Sequence, residues 1–234
     1  MRLWIERWMG FHALCLVVAT LLLYHFQLLP YLGLPAALSF LLFFARYAYQ
    51  QGNFAFALQP ANLVTQGRLC LLFLLLWYYP ALSALPLGLL ALVVLILDGL
   101  DGYLARRFQT SSVFGEYLDM ETDAFYVLGM SMLLYELNYF GGWILGIGLL
   151  RYAYFLVLRK VKAPQQKESR LFLARLIAVI LMATMAACFI LPPWIHQPAM
   201  IIASGLVLYS FGNSFWLSWK PRFQVAEPQS SPNA

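Results

Sequence analysis

Charged residues are scarce in this chain of 234 residues, at 11% of the sequence. Soluble domains carry about 25% charged residues, so a surface this poor in charge excludes an ordinary water-soluble protein. The mean hydropathy of +0.73 agrees with this. The apolar residues also come in long blocks, each near the ~20 residues that cross a bilayer. The sequence therefore predicts an all-α, polytopic membrane protein.

Cysteine is also scarce, and Cys15, Cys70 and Cys188 all lie in apolar blocks without a CxxC partner. This excludes a disulfide framework and a thiolate metal site, and we interpret the three as small buried hydrophobic residues. No P-loop, dinucleotide fingerprint or Ser–His–Asp order is present. The histidines lack ligand-like neighbours and are interpreted as packing residues; they are His12, His25 and His196.

Eight apolar blocks follow one another along the chain, and turn residues, mostly proline or a Gly-Gly pair, separate them. Residues 220–234 are polar and contain Pro and Ser, which is typical of a short disordered tail. The predicted membrane spans are 10–29, 32–50, 63–79, 83–105, 115–137, 141–159, 171–191 and 198–218.

Basic residues give these spans a predicted orientation. The connections near 30–32, 80–82, 138–141 and 192–198 contain no Lys or Arg, whereas the alternate connections are basic. Positive charge collects on the cytoplasmic side of membrane proteins. We therefore expect a multi-pass protein of the cell (inner) membrane with both termini in the cytoplasm. The same bias accounts for the net charge of +5 without a nucleic-acid partner.

Six of the ten acidic residues lie between Asp98 and Asp123, at the inner ends of the fourth and fifth spans. At 3.6 residues per helical turn, Asp98 and Asp101 project about 60° apart, and Asp119 and Asp123 about 40° apart. Each pair therefore lies on one helix face. Because the connection is short, we expect the two helices to be antiparallel neighbours whose carboxylates face each other across the seam.

Four carboxylates placed together repel one another unless cations lie between them. Oxygen ligands of this kind suit Mg²⁺, Mn²⁺ or Ca²⁺. We therefore interpret the four aspartates as a metal site, since acidic groups in a membrane are costly without such compensation. The nearby acids are interpreted as interfacial residues; they are Glu116, Glu121 and Glu136.

Small residues accompany the aspartates along the same stretch. A glycine weakens a helix, so its presence requires a reason. Close helix packing is one reason, and room for a bulky polar ligand is another. We favour the ligand for the set, which consists of Gly99, Gly102, Ala105 and Gly115.

The aspartates and small residues together resemble the signature of the CDP-alcohol phosphotransferase family, D-x2-D-G-x2-A-R-x8-G-x3-D-x3-D. Eight fixed positions agree over 26 residues, with every spacer at the family length. A weaker likeness lies one span upstream, where Asn62, Thr65 and Arg68 match the Asn-x2-Thr-x2-Arg entry to the family's first core helix. The resemblance covers about two thirds of the chain.

The family resemblance implies a domain organisation. A catalytic core of six membrane helices would occupy residues 58–219. A two-helix extension, residues 1–57, would precede it, and the tail, residues 220–234, would follow. The resemblance also implies a homodimer, for which the sequence offers no feature of its own.

The family resemblance further implies an activity, the transfer of a phospho-alcohol from a CDP-linked donor to an acceptor hydroxyl with release of CMP. Asp98, Asp101 and Asp119 would hold one or two Mg²⁺ or Mn²⁺ ions. Asp123 would complete the metal site and take the acceptor's proton. The implied CDP-binding residues are Asn62, Thr65, Arg68, Gly102, Ala105, Arg106 and Gly115.

The acceptor is less clearly marked. Arg151 and Arg175 lie inside apolar stretches near the cytoplasmic side, where a charge is costly, and are the candidate acceptor-binding residues. The positive-inside bias accounts for them about equally well.

Three functions are weighed. The favoured one transfers the phosphatidyl group of CDP-diacylglycerol to a small polar alcohol in phospholipid synthesis. The second uses CDP-choline or CDP-ethanolamine as donor and diacylglycerol as acceptor. The third is a cation transporter that uses the acidic cluster. Transporter sites tend to lie at the bilayer midplane, whereas these acids lie near one membrane face.

Overall fold

The computed structural model describes residues 2–52, 54–108, 112–158 and 168–219. Over these residues the chain forms eight α-helices and no strand, which confirms the all-α membrane bundle. Short 3₁₀ turns occur at Leu29–Leu32, Ala55–Leu58 and Tyr79–Ala81. The helices are α1 (Arg2–His25), α2 (Gly33–Gln51), α3 (Pro60–Tyr78), α4 (Ala84–Phe108), α5 (Val113–Glu136), α6 (Trp143–Leu158), α7 (Glu168–Ala187) and α8 (Pro193–Trp219).

Proline and glycine set several helix ends. Pro60 is the first residue of α3, and Gly52 closes α2 with a left-handed φ of 69°. The last helix differs from its predicted span, because α8 begins at Pro193 and Pro198 lies inside it. A proline at the first helical position lacks only an N–H that would have no partner within the helix. The helix can therefore begin five residues earlier than the sequence predicted.

Among the described residues, four helical segments are long and apolar enough to cross a membrane: Trp4–His25, Leu29–Gln51, Pro60–Ala81 and Pro193–Trp216. Shorter apolar helices occur at Ala84–Leu100, Trp143–Val157 and Phe172–Ala187. Large apolar side chains such as those of Leu38 and Leu41 are exposed on the bundle surface. Such a surface suits lipid contact.

Helix α5 lies at the centre of the bundle, where it packs against α3, α6 and α7. All residues from 128 to 134 are buried. The close approach of α6 depends on Gly148, since a Cβ there would lie 2.8 Å from Ser131 Oγ and 3.0 Å from Leu128 Cα. The central helix therefore has fixed neighbours on several sides, and its side chains are held in defined directions.

The first two helices pack onto this bundle, α1 against α6 and α2 against α3. Stacked and edge-on aromatic rings join them to the start of α5. The ring centroids of Trp8 and Phe43 are 4.0 Å apart, and those of Phe43 and Phe114 are 5.1 Å apart. Tyr47 and Phe56 each lie 4.6 Å from Phe114. Helices α1 and α2 are thus part of the packed structure at the end of α5 that carries the aspartates.

Candidate active site

Three of the four predicted aspartates converge on one arginine. Arg68 on α3 lies with Nη1 2.7 Å from Asp119 Oδ1 and Nη2 2.6 Å from Asp123 Oδ1. The same Nη2 lies 2.7 Å from Asp98 Oδ1. Asp98 comes from α4 and the other two from α5, so the guanidinium joins three helices. Charge-assisted contacts of this length are among the stronger hydrogen bonds in proteins.

Helix α3 packs against both α4 and α5, where the sequence predicted direct contact between α4 and α5. Among the described residues α3 packs extensively against α4 and also against α5, whereas direct contact between α4 and α5 is slight. The prediction of a simple two-helix seam is therefore wrong. Two helices joined by a short connection can diverge, and a third helix then packs between them. The carboxylates still meet, but they meet around a side chain from α3.

The cation and the anions of this cluster differ in exposure. The Arg68 side chain is fully buried, whereas 22% of Asp98, 42% of Asp119 and 34% of Asp123 is exposed. One guanidinium cannot neutralise three carboxylates. The cluster therefore favours further positive charge, and its exposed carboxylate oxygens are the atoms that such a charge would meet.

The carboxylates also fit a divalent metal. One oxygen from each of Asp98, Asp119 and Asp123 can be chosen so that all three lie within 4.8 Å of one another. Mg²⁺ binds oxygen at about 2.0–2.1 Å, so ligands around one ion lie about 3–4 Å apart. Small adjustments of these three side chains would bring them to that spacing. Three hard oxygen donors in partial contact with solvent suit Mg²⁺ or Mn²⁺.

The side chains of Asp101, Ala105 and Arg106 lie outside the described residues, although the α4 backbone that carries them is helical. Gly99 on the same helix is exposed, and a Cβ there would meet no described atom within 4 Å. Close helix packing therefore does not explain Gly99. Gly102 is partly buried one turn further on.

The start of α5 packs closely against α3 beside the cluster, through Gly115, Asn62 and Thr65. The Asn62 amide donates to the carbonyl oxygen of Phe56 at 2.7 Å, and the Thr65 hydroxyl donates to the Ala61 carbonyl oxygen at 3.1 Å. A Cβ on Gly115 would collide with Asn62 Oδ1. Asn62 and Thr65 are buried, so in this structure they support the packing beside the site and are not on its exposed surface.

The start of α5 is fixed by a capping interaction. Ser112 precedes the helix in an extended conformation, and its Oγ accepts a hydrogen bond from Gly115 N–H at 3.0 Å. Such caps stabilise a helix by about 1 kcal/mol. The cap lies about two turns before Asp119 and about three turns before Asp123 and so helps to fix the direction in which they project.

A second charge cluster lies on another face of α5. Glu121 is only 4% exposed and therefore lies in the interior. The interpretation of Glu121 as an interfacial residue is wrong. One of its oxygens lies 3.6 Å from Arg151 Nη2 on α6, and the other lies 3.8 Å from His12 Nε2 on α1. His12 Nδ1 in turn lies 2.7 Å from Ser39 Oγ on α2.

Sequence reasoning missed this second cluster because its members come from four helices that are far apart in the chain. The only signals were a histidine and an acid inside apolar blocks, where polar groups require partners. Of the two candidate acceptor-binding residues, Arg151 belongs to this cluster with 35% of its side chain exposed. Arg175 on α7 is exposed. The basic segment 159–167 lies outside the described residues.

The fold and this site together define an integral membrane protein with a partly exposed centre of carboxylates around a buried guanidinium. The CDP-alcohol phosphatidyltransferase family model matches residues 58–210. The chain therefore belongs to this family, which confirms the resemblance seen in the sequence. The family transfers a phospho-alcohol from a CDP-alcohol to an acceptor alcohol. No curated protein and no solved structure matches the chain.

Proposed function

We propose that this protein transfers the phosphatidyl group of CDP-diacylglycerol to the hydroxyl of a small polar alcohol, with Mg²⁺ or Mn²⁺ bound, in phospholipid synthesis. The convergence of Asp98, Asp119 and Asp123 around Arg68 carries this proposal. It assembles partly exposed oxygen ligands beside a membrane-embedded bundle, where a lipid donor can reach them. The family match favours transfer over cation transport.

Asp98, Asp101 and Asp119 are proposed to hold the metal, and Asp123 to complete the site and act as general base. In the reaction, the acceptor oxygen forms a bond to the phosphorus that carries diacylglycerol, and the bond from that phosphorus to CMP breaks. The acceptor's proton passes to the Asp123 carboxylate. A carboxylate is a weak base for an alcohol, so proton transfer should accompany attack. The bound metal would neutralise the diphosphate and the departing CMP.

The CDP group is proposed to lie along α4, against Gly102, Ala105 and Arg106. An arginine can bind phosphate oxygens through two parallel hydrogen bonds. The open space beside Gly99 supports a ligand on this side of the helix. From the other side, Asn62 and Thr65 on α3 and Gly115 on α5 would shape the pocket, with Arg68 placing its charge next to the carboxylates.

The placement in the membrane is also a proposal. The distribution of Lys and Arg supports cytoplasmic termini and a cytoplasmic active site. A CDP-linked lipid has its nucleotide at that surface, so donor and site would meet there. We further propose residues 1–57 as an extension, 58–219 as the catalytic domain and 220–234 as a tail, in a homodimer of the cell membrane.

Release of CMP by purified protein in lipid vesicles tests the activity. With CDP-diacylglycerol, Mn²⁺ and a panel of alcohols, the wild-type protein should release CMP. Asp123→Asn should lower the rate by about 10²–10⁴-fold, the usual contribution of a general base. Glu136→Gln is the matched control, because Glu136 lies about 20 Å further along the same helix at 1.5 Å per residue.

Two results would overturn this proposal. One is wild-type CMP release that survives Asp123→Asn unchanged, and the other is a failure to obtain CMP from any CDP-alcohol. A parallel assay with CDP-choline and diacylglycerol separates the two donor types. CMP release in that assay alone would contradict CDP-diacylglycerol as donor while leaving the family activity in place.

A further inference from the structure

A cavity of about 790 Å³ lies between α1, α5, α6 and α8. Its size is that of a small-molecule site, for which volumes of about 300–1,000 Å³ are usual. Its wall on one side is formed by Glu6, Arg7 and Met9 of α1. This helix lies outside residues 58–210, the part that matches the family. The cavity is therefore formed by helices of the part that matches the family together with α1, which lies outside that part.

The cavity borders the part of α5 that comes just before the proposed base in the chain. Helix α5 contributes Glu116 and Met120 to the lining, and these residues precede Asp119 and Asp123 by three positions each. In a helix, that spacing is about 4.5 Å along the axis and about 60° around it. Met120 and Asp123 thus project from neighbouring positions on α5, so a molecule against Met120 lies on the side of the helix adjacent to the one that carries the Asp123 carboxylate.

The side chains that line the cavity include equal numbers of acidic and basic groups. Glu6 and Glu116 supply two negative groups, and Arg7 and Arg151 supply two positive groups. A phosphorylated alcohol, which carries negative charge only, would meet as many repelling as attracting groups. A molecule with both an ammonium and an anionic group can pair with each kind, and this complementarity favours a zwitterion.

The cationic part of the cavity is held in place before any ligand binds. Arg151 lies 3.6 Å from Glu121, which is buried, and this leaves part of the guanidinium exposed to the cavity. His12 of α1 contacts the same glutamate at 3.8 Å, and the Trp8 indole N–H donates to the Ser39 carbonyl oxygen at 3.2 Å. These contacts fix α1 against the core, so its Glu6 and Arg7 are presented at defined positions.

Aromatic rings complete the lining. Tyr154 and Phe211 meet edge to face with centroids 4.9 Å apart, and both border the cavity. Aromatic faces attract ammonium groups, and this adds to the attraction of the glutamates.

We propose that this cavity is the acceptor site, that α1 forms one of its walls, and that its substrate class is a small zwitterionic alcohol of the hydroxy amino acid type. The proposal rests on the proposed function. The ammonium lies between Glu6, Glu116 and the aromatic rings, and the carboxylate lies near Arg7 and Arg151. The hydroxyl is then directed along α5 towards Asp123.

Competition among acceptors of different charge tests the proposal in reconstituted protein supplied with CDP-diacylglycerol and Mn²⁺. The probes are L-serine as zwitterion, glycerol 3-phosphate as anion, choline as cation and inositol as neutral polyol. L-serine should give the highest kcat/KM. Arg7→Gln should raise the KM for L-serine about tenfold with kcat nearly unchanged, as expected for loss of one charge-assisted contact. Choline should be unaffected by this change.

Glu6→Gln tests the ammonium side of the site. It should raise the KM for L-serine and for choline and should not raise the KM for glycerol 3-phosphate. Both positions are exposed on α1, so neither change threatens folding. Arg46→Gln on α2 is the matched control and should leave every KM unchanged. Preference for glycerol 3-phosphate over L-serine, or an unchanged KM for L-serine in both α1 variants, would overturn the proposal.

Calorimetric titration of L-serine into the protein without donor separates this proposal from the proposed function. Binding that weakens about tenfold in Arg7→Gln supports the cavity site even if no CMP is released. Release of CMP with other alcohols, together with an absence of L-serine binding, would leave the proposed function standing and overturn the zwitterion site.

Discussion

Two charge clusters lie on opposite faces of helix α5. In one the cation is buried and the anions are partly exposed, and in the other the anion is buried and the cation is partly exposed. On one face the guanidinium of Arg68 is fully buried, while Asp119 and Asp123 are 42% and 34% exposed. On the other face Glu121 is buried and Arg151 is 35% exposed. The direction of Glu121 differs by about 160° from that of each aspartate, as 100° per residue requires.

The comparison shows how two faces of one helix can organise different sites, with exposed anions at one and an exposed cation, supplied by α6, at the other. In each cluster the buried member is paired within the protein, and the exposed member has surface left for a ligand. Exposed carboxylates suit a metal, and an exposed guanidinium suits an anionic group. The cost of burying each charge is offset by its partner from another helix.

Removal of the buried cation should have the largest effect. Arg68→Met leaves three carboxylates close together without their guanidinium. Loss of one partner from a buried pair costs about 3–5 kcal/mol, and the partial exposure of these aspartates should reduce this to about 2–3 kcal/mol. We expect a lower thermal midpoint in detergent and loss of CMP release.

Added Mn²⁺ sharpens this test. Because a divalent ion can replace the missing positive charge, the thermal midpoint of Arg68→Met should rise more with Mn²⁺ than that of the wild type. Arg46→Met, which removes an exposed arginine that lies over the Tyr49 ring, is the control and should behave as wild type. Equal stability of Arg68→Met and wild type without metal would contradict the proposed charge balance.

Neutralising the buried anion should have a smaller and more selective effect. Glu121→Gln keeps the shape of the side chain but releases Arg151 from its charged partner. The acceptor KM should rise, by about tenfold at most, because Glu121 no longer holds Arg151 in position, while the KM for the CDP donor stays unchanged. A rise in both KM values, or in the donor KM alone, would show that the two faces of α5 do not act separately.

Features that depend on residues close together in the chain could be predicted from the sequence. The spacing of Asp98, Asp119 and Asp123 specified their helix faces, and the apolar blocks specified eight helices. The position of Arg68 within the cluster could not be derived in this way, because it depends on α3 packing between α4 and α5.

Glu121 illustrates the same limit. Its partners Arg151 and His12 lie on α6 and α1, and no spacing rule connects residues so far apart. The start of α8 was misplaced for a local reason, since two prolines five residues apart compete as the first helical residue and the earlier one, Pro193, begins the helix. Tertiary packing thus decided which charges became partners, and local chemistry decided where the helices began.

The smallest expected effect concerns the contact that brings Arg151 to Glu121. Gly148→Ala would push α6 away from Leu128 and Ser131 on α5, at a cost of about 1 kcal/mol, the lower end for an overpacked contact. Gly146 on the same helix is the matched control, since a Cβ there meets no described atom within 4 Å. Gly146→Ala should be neutral or stabilise by up to about 1 kcal/mol. Equal thermal midpoints for the two variants would contradict this packing.

The central claim is that the carboxylates around Arg68 form a metal-dependent transferase centre. A Mn²⁺ titration of CMP release from CDP-diacylglycerol, in wild type and Asp119→Asn after removal of metal with EDTA, tests it most directly. The wild type should be inactive without metal and show saturable activation. Asp119→Asn should require about tenfold or more Mn²⁺ for half activation, as expected for the loss of one charged ligand. CMP release that persists in EDTA, or the same Mn²⁺ midpoint in both proteins, would contradict the claim.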